Sequence, residues 1–306
     1  MPFTLPKETY PGKINEIKIG NADIGGESAL PFLSFEGTVA KKPIVALEVQ
    51  DVVPQDWPDA LTKVYGKVMN DPVGWAKFCE TELKADAICL RLAGTHPDKE
   101  NKSVKEAADI VSKVSSNISV PLILLGCNHV EKDTELINPC AAACAKPSII
   151  GKAQEKNFKT FAAAAQAFNH YLIALSDLDI NLAKQLNILL SQSGFPKDKI
   201  IMDTMSSALG YGLEYTYSVI ERCKLAALQQ NDNMMQMPIV NDIGPEAWKA
   251  KEAKADIAEW GDTEKRGILW EAVTGITFLS AGGNFLIMRH PEGMRLVKNT
   301  IEQMIG

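Results

Sequence analysis

Eight short apolar runs, separated for the most part by helical patterns, constrain this 306-residue chain more than any other feature. They read PIVALEV (43–49), AICLRL (87–92), PLILLG (121–126), PSIIG (147–151), YLIAL (171–175), KIIMD (199–203), MPIVN (237–241) and NFLIM (284–288). None shows the regular polar alternation of a half-exposed sheet, so each reads as a strand covered on both faces. Parallel neighbours need crossover connections, and the intervening helices supply them. Eight is the number that closes a parallel barrel. The rival architecture is an open doubly wound sheet, but no G-x-G-x-x-G follows the first run. The fold class is therefore α/β, a (β/α)8 TIM barrel over 43–306, with no repeat, low-complexity tract or charged linker dividing it.

Helix signals fall between the runs. Phe158, Phe161, Ala165 and Phe168 make one stripe at helical spacing, and Leu213, Tyr217, Ile220 and Ala227 another; both read as core packing. Asp71 before Pro72, Ser103 three residues ahead of Glu106, Asp179, and Asp262 or Thr263 mark helix starts, and Gly194 stops the helix that Asp179 begins. Residues 1–42 break the alternation. EIKIG (16–20) and ALPFLSFEG (29–37) flank the turn-rich NADIGGES, which predicts a β-hairpin extension packed across one end of the barrel.

Composition narrows the function classes. A net charge of −6 argues against a nucleic-acid partner. No signal-type apolar run opens the chain and no stretch of about 18 apolar residues occurs, so no membrane span is expected and the default is a cytoplasmic protein. The six cysteines (79, 89, 127, 140, 144 and 223) read as free thiols. Cys140 and Cys144 could begin a CxxxCxxC cluster motif, but Pro147 stands where its third cysteine belongs.

Barrel sites form on the loops at the C-terminal strand ends. Those ends carry Asp51; Thr95 and His96; Cys127, Asn128 and His129; Ser176 and Asp177; Asp203, Thr204, Ser206 and Ser207; Asn241 and Asp242; and Arg289 and His290. The four histidines lie on different elements with no HxH or HExxH pair, so each reads as a loop or capping residue, and no metal ligands are assigned. No GxSxG elbow is present, and no catalytic residue is assigned. Glu48 and Arg91 are charges inside adjacent apolar runs; burial is too costly for either alone, so they are expected to share one polar network. ALGYG (208–212) reads as a tight turn opening a helix, with anion binding at that helix start as the alternative.

The stretch DTMSSALGYGLEYTYSVIERCKLAAL (203–228) resembles the signature of the small, or delta, subunit of the corrinoid iron–sulfur protein, whose archaeal relatives belong to the acetyl-CoA decarbonylase/synthase complex. GGESALPFLSFEG (25–37), GCNHVEKDTELI (126–137) and RGILWEAVTGITFLSAGGNFLIMRHPEG (266–293) agree in the same order, so the resemblance spans nearly the whole chain. It implies a barrel paired with a large corrinoid iron–sulfur subunit that carries the iron–sulfur cluster and the corrinoid-binding domain. The barrel mouth is expected to cover the upper face of that shared corrinoid. The assembled carrier is expected to take a methyl group from a methyltetrahydrofolate:corrinoid methyltransferase and deliver it to acetyl-CoA synthase. The rim residues expected to face the corrinoid are Thr95, Asn128, Asp203, Thr204, Asn241 and Arg289, chosen by strand ends. Two rivals stand beside this reading: a stand-alone pterin-dependent methyltransferase of the same architecture, and a scaffold whose mouth touches no cofactor.

Overall fold

The structure, a computed structural model, describes residues 3–4, 6–38 and 41–305; parts of the expected extension (1, 2, 5, 39 and 40) and the final residue of the barrel region lie outside the described residues. The strands are β1 (Glu16–Ile19), β2 (Ala22–Gly25), β3 (Ile44–Gln50), β4 (Ala87–Arg91), β5 (Leu122–Leu125), β6 (Ile149–Ala153), β7 (Tyr171–Leu175), β8 (Ile200–Asp203), β9 (Val240–Asp242) and β10 (Phe285–Met288). β3 to β10 form one parallel sheet in the order β8-β7-β6-β5-β4-β3-β10-β9. The remaining seam between β8 and β9 is held by one parallel bridge, Met202 opposite Ile239, with the Met202 amide donating to the Pro238 carbonyl at 2.8 Å. Pro238 has no N–H to donate there, which helps keep β9 short. All eight expected strands are present, and the sheet is a nearly closed barrel rather than an open one.

Side chains alternate between two cores. Ala46, Cys89, Ile123, Ile173, Ile201 and Ile287 point into the barrel, while Leu47, Leu90, Leu124, Leu172, Met202 and Leu286 pack outward against the helices. The helix starts follow their cap chemistry. Asp71 accepts from the Val73 amide, Ser103 and Glu106 form a reciprocal capping box, Asp179 accepts from Asn181 and Leu182, and Asp262 accepts from Lys265. Gly194, at φ +87, follows the helix Ile180–Gln192. Phe168 departs from its expected stripe: the helix Phe158–Ala167 ends before it, and it is 38% exposed.

The N-terminal hairpin is tighter than expected. β2 lies inside the stretch read as the turn, paired antiparallel with β1 across Gly20–Asn21, and 29–37 forms bends and turns instead of a strand. Pro31 lacks a donor and Phe32 sits at φ +61, and either defeats a regular ladder. Period-two alternation puts Ile17, Ile19, Ala22 and Ile24 on one buried face, which joins the interior core. The hairpin caps the N-terminal end of the barrel, where the Tyr171 hydroxyl donates to the Lys18 carbonyl at 2.8 Å.

Candidate functional site at the barrel mouth

The same alternation that fills the lower interior with apolar groups delivers charges to the upper layer. Glu48 follows Ala46 inward, Arg91 follows Cys89, Asp203 follows Ile201, Asp242 follows Val240 and Arg289 follows Ile287; Lys152 joins them from β6. They form one chain of contacts. The Lys152 ammonium lies 2.8 Å from Asp203 and 2.9 Å from Asp242. Arg91 donates to Asp242 at 2.8 and 2.9 Å and to Glu48 at 3.1 Å. Arg289 donates to the other Glu48 oxygen at 3.0 Å, as does the Gln50 amide at 2.6 Å. The Arg289 guanidinium also sits 4.9 Å from the centre of the Trp57 ring.

Three cations thus balance three carboxylates. The cations lie on the solvent side: the side chains of Lys152, Arg91 and Arg289 are 15%, 12% and 9% exposed, against 0%, 6% and 0% for Asp203, Asp242 and Glu48. Burial opposes ionisation of Glu48, but Arg289 and Arg91 outweigh it and hold its carboxyl below the ordinary range. Asp242 is held well below that range against the same burial, by Arg91 and Lys152. Asp203 goes the other way, because burial raises it and Lys152 offsets only part. Burial would lower the Lys152 ammonium, yet Asp203 and Asp242 raise it. The expected Glu48–Arg91 network is present.

Behind this layer, fully buried Glu271, from the helix Thr263–Ala281, accepts from the amides of Arg289 (2.6 Å) and His290 (3.0 Å) and so fixes the end of β10. Burial pushes its carboxyl up to about 7 despite those two bonds. On the opposite wall Asp133 accepts from the amides of Cys127 (2.7 Å) and Asn128 (3.1 Å). Gly126 permits that approach, since a Cβ there would stand 2.1 Å from the Asp133 carboxylate. Burial pushes the Cys127 thiol up to about 11, so it is a neutral thiol and no ready nucleophile.

Above the charged layer opens a cavity of about 560 Å³, lined in part by Gln50, Arg91, Asn128, Lys152, Leu175, Met205, Ser206, Ser207 and Arg289. Of the six rim residues chosen by strand ends, Asn128 and Arg289 line it, and Asp203 lies in the charged layer beneath. The other three do not line it. The Thr95 hydroxyl donates to the Leu92 carbonyl at 2.7 Å, and Thr204 is fully buried. Asn241 is fully buried and 3.4 Å from the Ser206 hydroxyl, between inward-facing Val240 and Asp242 and so on the outer face. Four members of the network were absent from that selection: Glu48 and Arg91, expected separately as a pair, and Asp242 and Lys152. Parity marks Asp242 over Asn241, and Lys152 directly follows the fourth apolar run, the one strand end with no residue in the rim series. The histidines serve as caps and braces: Nδ1 of His129 accepts from the Lys132 amide, and Nδ1 of His290 from Glu292. No group of three or more metal-ligating side chains converges among the described residues.

The family model described as the CO dehydrogenase/acetyl-CoA synthase delta subunit matches residues 16–300. The chain belongs to that family. It is 34% identical over 303 residues to the acetyl-CoA decarbonylase/synthase complex subunit delta of Methanothermobacter thermautotrophicus, covering 97% of this chain and 77% of the relative. It is 32% identical to the subunit of the same name from Archaeoglobus fulgidus, covering 99% and 71%. Among solved structures, the dihydropteroate synthases of Yersinia pestis (TM-score 0.59, 11% identity, 94% of this chain and 97% of that one) and Xanthomonas albilineans (TM-score 0.58, 12% identity, 87% and 94%) share the fold. For this delta-family chain, no helix among the described residues is long and apolar enough to cross a membrane.

Proposed function

We propose that this chain is the small subunit of a corrinoid iron–sulfur methyl carrier in an acetyl-CoA decarbonylase/synthase system, and that its barrel mouth covers the upper face of a corrinoid held by a larger subunit. The larger subunit also carries the iron–sulfur cluster, and the carrier works between a methyltetrahydrofolate:corrinoid methyltransferase and acetyl-CoA synthase. The observation that carries the reading is the internally neutralised mouth. Lys152, Arg91 and Arg289 are already committed to Asp203, Asp242 and Glu48, so the layer forms a stiff, charge-balanced floor over a filled interior. Such a floor suits a cover that excludes water, since its groups are held by one another.

The rim chemistry fits a macrocycle with an apolar face and amide-bearing edges. Asn128, Ser206 and Ser207 offer hydrogen bonds, while Leu175 and Met205 offer apolar contact. When bound, the corrinoid supplies the cobalt that carries the methyl group. The residues of this chain bind, orient and shield: Asn128 and the two serines at the edge, Arg289 and Lys152 beneath, Glu271 and Asp133 positioning the loops.

The test is anaerobic purification of the chain with whatever accompanies it in its native source, followed by a visible spectrum and a cobalt assay. A larger partner with stoichiometric cobalt and an iron–sulfur signal is the expected outcome. A lone, colourless chain that binds methyltetrahydrofolate would overturn the carrier reading in favour of a pterin-dependent methyltransferase.

A further inference from the structure

The loop after β8 holds a residue that local energetics disfavour. Met205 has φ +61, a left-handed conformation in which an unbranched apolar side chain gains nothing and glycine or asparagine is favoured. Of the seven non-glycine residues with positive φ among the described residues, four are asparagines, so Met205 is not explained by residue type. The conformation is enforced from both sides. Asp203 accepts from the Met205 amide at 2.9 Å, and the hydroxyl of buried Thr216 lies 3.4 Å from the Met205 carbonyl oxygen while accepting from the Ser207 amide at 3.1 Å. Farther along, the Leu209 amide donates to Thr274 and the Trp270 indole to the Leu209 carbonyl, tying the loop to the helix Thr263–Ala281.

This bracing ends in exposure. The Met205 side chain is 38% exposed and lines the mouth beside Ser206, on a rim that is otherwise largely polar. A single exposed methionine is ordinary. A methionine pinned in a strained conformation and turned toward a cavity is a different matter, because strain of this kind collects at ligand clamps. A corrinoid is far larger than the drug-sized molecules that such a cavity encloses, so it lies across the mouth, and upward-projecting rim groups meet its face.

Resting on the functional reading above, we infer that Met205 packs its polarisable thioether directly over the flat face of the corrinoid and keeps water from the ring. The side chain forms no bond to the metal in this role; it binds and excludes.

The test uses the cobalt-loaded complex of this chain with its corrinoid-carrying partner, made with ¹³C-methyl methionine. The chain has ten methionines, and Met205→Leu identifies one resonance. Cobalt(II) is paramagnetic, so the Met205 methyl signal is expected to broaden strongly in that state and to sharpen on oxidation to diamagnetic cobalt(III). The signal of Met304, near the opposite end of the barrel, is expected to stay sharp in both. Met205→Gly is expected to raise the Tm of the chain by roughly 2 °C by releasing strain, while reduced cobalt in the complex oxidises several-fold faster. Met205→Leu is expected to keep most of the protection. A loaded complex whose Met205 signal ignores the cobalt state, or whose Met205→Gly variant oxidises at the parent rate, overturns this contact and leaves the carrier reading standing. A complex with no cobalt overturns both.

Discussion

At the N-terminal end of the barrel, Ile44, Ala87 and Ile149 meet Ile17, Ile19 and Ile24 of the hairpin in a wholly apolar layer. A few residues higher, the same strands present Glu48, Arg91, Lys152, Asp203, Asp242 and Arg289. The lower layer lowers free energy by removing apolar surface from water, and methyl-sized errors there have graded costs. The upper layer gains little net stability, because desolvating six charges offsets most of their mutual attraction, yet losing a member is costly. A fold does not need six charges to fill a barrel, so the upper layer reads as a surface kept for something outside the chain.

The sharpest way to break the contrast is to remove one upper charge. Glu48→Ala leaves Arg289 without a carboxylate partner, while Arg91 keeps Asp242. A loss of about 3–5 kcal/mol in urea unfolding is expected, and Glu48→Leu combined with Arg289→Met is expected to recover most of it. A recovery no better than the single variant would show that the network is needed for stability after all. Ile24→Ala in the hairpin is expected to cost about 3 kcal/mol as an ordinary cavity, and to leave the cobalt content of the proposed carrier complex unchanged.

Glu271 links the two behaviours, being buried like the lower layer and ionisable like the upper. Its pKa is raised from 4.5 to about 7, so the folded state binds its proton more tightly than the unfolded state does. The contribution is fully present below about pH 4.5 and is lost as pH rises through 7, amounting to at most about 3 kcal/mol. Glu48 and Asp242, whose pKa values are lowered, behave oppositely and contribute above the unfolded carboxylate range, losing that contribution as pH falls. The free energy of unfolding, measured from pH 5 to 8, is expected to fall more steeply in the parent than in Glu271→Gln, which does not titrate. Parallel curves would remove Glu271 as the source.

Legibility in the sequence followed the same division. Strands and caps were legible because each depends on a few adjacent residues: an apolar run of five to seven, or Ser103 with Glu106. Glu48 and Arg91 were legible because a charge inside an apolar run must have a partner. Strand ends alone do not say which neighbour points inward; parity with Val240 and Ile201 does, and it turns Asp242 and Asp203 into the barrel rather than Asn241 and Thr204. Lys152 was not legible because the β6–β7 register shifts between Ile150 and Ala153, whereas simple alternation from inward-facing Ile149 would turn residue 152 outward. Positive φ at Met205 had at most half a local signal: Asp203, two residues before, can turn the chain, but Thr216 acts from eleven residues away.

The smallest expected effect concerns Asn128, which lines the mouth at φ +74. Its amide is held by Asp133, but its side chain is exposed, so nothing in the fold depends on it. Asn128→Gly is expected to change unfolding by no more than a few tenths of a kcal/mol, since glycine adopts this conformation without strain. If the proposed carrier role holds, the same variant is expected to weaken corrinoid retention in the assembled complex, measured as cobalt remaining after exhaustive anaerobic washing. Unchanged stability with reduced retention would put a purely functional residue on the upper rim, which the lower layer, where every side chain is buried, has no room for. Unchanged retention would shift the amide-edge contacts to Ser206 and Ser207 on the other side of the mouth.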